Sequence, residues 1–119
     1  LVHAVSGSTE PLAESVIAHG YRTAVGDYWI TFKMTYESDE RVIASPLPGM
    51  VGVRYPPYEQ EVYNSRPAYV FGVRDTEHIV RFVSVLQHVH IPYTIVTRVP
   101  YLAILPKTRY VPVLGQAPY

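Results

Sequence analysis

The chain has 119 residues, 48% of them hydrophobic, so it can bury the core of one domain. Ten basic residues balance ten acidic ones, which leaves no field to recruit nucleic acid or an anionic membrane surface. There is no cysteine, which excludes a disulfide framework, a thiolate zinc site and a cysteine nucleophile.

The first predicted element is a helix in STEPLAESVIAHG. Ser8 or Thr9 caps it, Pro11 suits its first turn, Leu12, Ala13, Val16 and Ile17 share one face, and Gly20 stops it. A short β-prone run follows over 21–25. Asp27 then stands where a helix N-cap would. The segment 28–36 fits two periods. Alternation of Tyr28, Ile30, Phe32, Met34 and Tyr36 suits a strand, whereas Tyr28/Phe32/Tyr36 spacing suits a helix. The preceding Asp27 and the polar turn ESDE favour the helix, with a long hairpin as the competing reading. Most of the aromatic cluster Tyr28, Trp29, Phe32 and Tyr36 is then expected on the core face.

A strand over 41–45 leads into PLPGMVGVRYPP, whose prolines and glycines predict a long loop. A short helix over 58–64 and a buried strand over 68–72 come next. Asp75 or Thr76 caps the strongest helix, in which Ile79, Phe82, Val83 and Leu86 form one apolar stripe. Pro92 ends it. Strands over 93–99 and 101–105 close the domain at residue 105, and 106–119, with three prolines, is expected to be an extended tail. The alternation of helices and strands predicts an α/β domain: three layers, a mostly parallel sheet with helices on both faces, and a C-terminal antiparallel hairpin as its edge.

Open α/β sheets bind ligands at the carboxyl ends of their strands. There this chain places Asp27, Tyr28 and Trp29 after the first strand, Arg54 and Tyr55 after the second, and Arg74 and Asp75 after the third. Rings that stack, carboxylates that accept from hydroxyls and arginines that hold phosphate suit a sugar or a sugar phosphate. The structural alternative makes Asp27 and Asp75 caps and Trp29 core. His78, His88 and His90 lack metal-site spacing, and Glu37, Asp39 and Glu40 read as a solvated turn. No nucleophile elbow or phosphate loop is present, so neither a catalytic residue nor a cofactor is assigned, and catalysis stays open.

The pieces His19-Gly20-Tyr21, Tyr28-Trp29, Phe32, Met34-Thr35-Tyr36, Ser38, Glu40 to Ala44 and Arg54-Tyr55-Pro56 carry a resemblance. They look like a segment near the C-terminus of actinobacterial polytopic membrane glycosyltransferase-like proteins, related to protein mannosyltransferases. Element order is similar across residues 9–105, while the motifs match over 19–56. The resemblance implies an accessory domain on the extracytoplasmic face of the cell membrane, cut from a membrane protein. The opening Leu1 in place of Met fits that expectation. Its implied partners are the membrane-embedded part of the same polypeptide and a glycan or polyprenyl-phosphate sugar, with no nucleic acid. The family's catalytic carboxylate lies in an early membrane loop and matches no residue here. The rival expectations are a protein-interaction module with an exposed tyrosine-rich surface, and a small hydrolase or transferase at the same rim.

Overall fold

A computed structural model describes residues 7–46 and 56–111. Along the chain run α1 (Glu10–Ala18), β1 (Thr23–Gly26), α2 (Tyr28–Glu37), β2 (Ile43–Pro46), α3 (Pro56–Tyr63), β3 (Ala68–Gly72), α4 (Thr76–His88), β4 (Tyr93–Arg98) and β5 (Tyr101–Pro106). The segment 28–36 is helical. Among the described residues no helix is long and apolar enough to cross a membrane.

The strands form one five-stranded sheet in the order β2-β1-β3-β5-β4. β1 pairs in parallel with β2 and β3, whereas β5 is antiparallel to both β3 and β4. The sheet is therefore mixed, not mostly parallel, and the hairpin does not simply append an edge. Its second strand, β5, inserts beside β3 and pushes β4 to the outside. Burial explains the choice, because every residue of β5 is buried whereas in β4 Val96 alone is.

Strand parity sorts the core into two clusters. Ala24, Ala44, Ala68, Val70, Tyr101, Ala103 and Leu105 pack with Leu12, Val16, Ile30 and Met34 of α1 and α2. Their neighbours Val25, Ile43, Tyr69, Phe71, Leu102 and Ile104 pack with Val62 of α3 and Phe82 and Leu86 of α4. Successive side chains leave a strand on opposite faces, so each strand feeds both clusters. The sheet is held at its ends as well: buried Tyr21, just before β1, donates its hydroxyl to the Pro106 carbonyl at the end of β5, at 2.5 Å.

Residues past β5 continue the second cluster. The Tyr110 ring lies 5.9 Å from Phe82, and its carbonyl accepts the Tyr69 hydroxyl at 3.0 Å. Arg109 bonds the Tyr63 and Ser65 carbonyls after α3.

The N-termini of α1, α2 and α4 are finished differently. Asp27 accepts from the Ile30 N–H at 3.0 Å, the expected cap. At α1, Ser8 Oγ accepts from the Glu10 N–H, while Thr9 occupies the N-cap position without capping by its side chain. Both the N–H and the hydroxyl of Thr9 instead donate to Glu37 Oε1, at 2.6 and 2.7 Å. A carboxylate at the end of α2 thus holds the start of α1. Asp75 sits at the N-cap position of α4, but its carboxylate meets His78 Nδ1 at 2.8 Å rather than backbone amides.

Two expectations follow. A methyl group on Gly26, at the end of β1, would come within 2.7 Å of the Val70 carbonyl oxygen on β3. Gly26→Ala is expected to cost about 1–3 kcal/mol, read as a lower denaturation midpoint with an unchanged slope. Partial burial raises the pKa of Glu37, but the hydrogen bonds from Thr9 and the nearby Lys33 charge outweigh it and hold that carboxyl below its ordinary value. A depressed carboxylate stabilises the fold above its unfolded pKa, and that stabilisation is lost as pH falls through the folded value. The advantage of the wild type over Glu37→Gln should therefore be full at pH 7 and shrink below about pH 4 in thermal melts.

Candidate functional site

The orientation of α2 decides where a ligand can sit. Ile30 and Met34 enter the core, Thr31 is buried, and Thr35 and Ser38 turn toward β2. Thr35 Oγ1 accepts from the Ala44 N–H at 3.0 Å, and Ser38 Oγ accepts from the Val42 N–H at 3.1 Å. The helix is thereby fixed in rotation, and at 100° per residue its aromatic positions fall on the opposite side. Trp29, Phe32 and Tyr36 are 42%, 53% and 77% exposed. The expectation that most of this cluster lines the core is overturned: hydroxyls with partners on β2 took the inward positions.

The rings form a ladder. Tyr28 stacks on Phe32 with centroids 6.1 Å apart, Phe32 lies nearly parallel to Tyr36 at 6.4 Å, and Trp29 meets Tyr28 edge-on at 5.2 Å. Beside the ladder lies a cleft of about 340 Å³, bounded by α2, β2 and the first turn of α3. Tyr28, Phe32, Tyr36 and Tyr58 give it ring surface; Thr31, Thr35, Ser45 and Glu40 give it polar groups.

The polar groups are not equivalent. Thr31 donates its hydroxyl to the Asp27 carbonyl, and Thr35 is bound to Ala44. Ser45 Oγ is different, because it is buried and has no hydrogen-bond partner among the described residues. Such a group carries a desolvation cost of about 1–3 kcal/mol that a ligand hydroxyl would relieve. Glu40 follows Asp39 in the turn from α2 to β2, and both adopt the left-handed conformation, with φ of 61° and 55°. Two non-glycine residues there make a costly turn, and it brings a carboxylate to the mouth of the cleft.

Of the predicted rim residues that are described, only Tyr28 lines this cleft. Trp29 packs against Tyr28 from outside, Asp27 holds its own helix, and Asp75 pairs with its own His78. Arg74 is exposed after β3. Arg54 and Tyr55, with most of the predicted loop, lie outside the described residues. Sequence reasoning missed Phe32, Tyr36, Ser45 and Tyr58 as cleft-lining residues and set Glu40 aside as a solvated turn. The spacing of Thr31, Thr35 and Ser38, at i, i+4 and i+7, marks the true inner stripe and would have turned the rings outward.

No protein-family model, curated protein or solved structure matches this chain.

Replacing the unpartnered hydroxyl tests the cleft without a ligand. Ser45→Ala is expected to leave stability unchanged or raise it by up to about 1 kcal/mol, because it removes a desolvated polar atom. Chemical denaturation of the two forms reads the difference.

Proposed function

We propose that this chain is a non-catalytic domain that binds a sugar in the cleft between α2, β2 and α3. One observation carries the reading: stacked, exposed rings, an unpartnered buried hydroxyl and a carboxylate surround a single space of monosaccharide scale. A pyranose has an apolar C–H face that packs on a ring and hydroxyls that donate to a carboxylate or exchange bonds with a serine. Phe32 and Tyr36 supply the rings, Glu40 the acceptor and Ser45 the buried partner.

The resemblance over residues 19–56 includes α2 and β2, and it supports placing the domain in a membrane glycosyltransferase-like protein. On that reading it lies at the extracytoplasmic face, packs on the membrane-embedded part of the same polypeptide, and receives a glycan or polyprenyl-phosphate sugar. A sugar phosphate would add a charge, for which Arg54 and Arg74 of the predicted rim are the candidate donors. The two core clusters support a sheet held as the middle of three layers. As for catalysis, among the described residues no base is hydrogen-bonded to Ser45 Oγ to activate it, which favours binding over a hydrolase or transferase. The protein-contact reading rests on Trp29, which is exposed yet outside the cleft lining.

Isothermal titration with methyl glycosides and glycosyl phosphates tests the proposal. At least one sugar should bind, and Phe32→Ala should weaken it about fivefold to tenfold, the equivalent of roughly 1–1.4 kcal/mol. Ser45→Ala should also weaken binding, and Trp29→Ala should leave it nearly intact. Phosphate-dependent affinity that falls in Arg74→Ala would favour the lipid-linked donor. Absence of binding across neutral and phosphorylated sugars, or equal binding by the Phe32 variant, would rule the cleft out as a sugar site.

A further inference from the structure

The two edges of the sheet are finished differently. On β2, the Ile43 N–H bonds the Arg22 carbonyl, so the backbone of Val42 and Ala44 points away from β1, where Ser38 and Thr35 hydroxyls meet it. That edge is closed by side chains. On β4, the Lys107 N–H bonds the Pro92 carbonyl, and Thr94, Val96 and Arg98 pair in register with Leu105, Ala103 and Tyr101. The even-numbered residues therefore bond to β5, and Tyr93, Ile95 and Thr97 turn their N–H and C=O groups outward. Among the described residues, the partner found there is the guanidinium of neighbouring Arg98, on the Thr97 carbonyl at 2.8 Å. β4 runs six residues with no proline and no bulge, and its charge is confined to the last residue. Ile95, at mid-strand, is 46% exposed, and Val99 just beyond it is also exposed.

We propose that β4 pairs antiparallel with β4 of a second copy of this chain about a twofold axis through Ile95, joining the two sheets into one. An exposed edge strand is a template for another strand, and a twofold interface demands a self-complementary one. This strand meets the demand. In the register centred on Ile95, the outward groups of Tyr93, Ile95 and Thr97 meet those of Thr97, Ile95 and Tyr93, forming about six hydrogen bonds. Ile95 packs on its own counterpart, Tyr93 lies against Thr97, and exposed Val99 comes toward Ile91, which already borders the second core cluster. Arg98 falls opposite Pro92, so no like charges face each other. The sugar-binding cleft borders β2, at the far side of the sheet order, so pairing leaves it open.

The cysteine-free chain makes the register directly testable. Sedimentation velocity should give a dimer of the 13.5 kDa chain in the micromolar range. Ile95→Lys alone and Ile95→Glu alone should each weaken association at least tenfold while circular dichroism stays native, and mixing the two should restore a dimer. Under mild oxidation Ile95→Cys should cross-link rapidly; Arg98→Cys, also exposed but distant from its own counterpart in this register, should not. A wild-type chain that stays monomeric into the high-micromolar range overturns the proposal. So does a Lys and Glu mixture that fails to associate, or cross-linking no faster at position 95 than at 98.

Discussion

The rotation of α2 rests on two hydroxyl contacts to the outer backbone of β2 and of the residue before it, Thr35 on Ala44 and Ser38 on Val42. An edge strand carries amides that must be paired, covered or solvated, and here a helix covers them with short side chains. The other properties of this half of the molecule follow in sequence. Ile30 and Met34 fall into the core, the rings fall outside it, and a cleft opens between the ring ladder and the strand. Exchange of either hydroxyl for an alkyl group would leave a backbone amide without its partner and loosen the wall of the cleft.

The same constraint explains which parts of the fold were legible in the sequence. Element order is readable because turn residues, caps and periodicity agree, as they do around Asp27, Gly20 and Pro92. The apolar stripe of α4 is also readable, since Phe82 and Leu86 have no competing partner type. The facing of α2 was not. Hydrophobicity alone puts Trp29 and Phe32 inside, whereas the fold rewards threonine and serine there for hydrogen bonds to the backbone of Val42 and Ala44, just past the turn that ends the helix. Strand order fails for a related reason. A hairpin signal says that β4 and β5 pair, but not which of them meets β3. The distinguishing information was the contrast between uninterrupted apolar Tyr101–Leu105 and the mixed Thr94–Arg98, which marks the second strand as interior.

The candidate site was legible only at its boundary. The rule that ligands gather at the carboxyl ends of strands pointed to Asp27, Tyr28 and Trp29, and Tyr28 does reach the cleft. The carboxylates named with it serve their own helices, one on a backbone N–H and one on a histidine. The acid that borders the cleft, Glu40, comes instead from the opposite end of α2, where two left-handed residues reverse the chain. A site built mainly along a helix flank leaves no short motif, because its members recur every fourth residue and then jump to the end of a strand and to another helix.

The packing of Tyr110 bears on how the molecule can be handled. Its ring closes over Tyr69 and Phe82, burial raises its hydroxyl pKa, and neighbouring Arg109 ties the chain to the end of α3. The folding unit thus outlasts its last strand by several residues. A recombinant boundary drawn at Pro106 would strip a lid from the second core cluster, and a fusion joined there would force foreign sequence against it. Trimming and tagging belong beyond Tyr110.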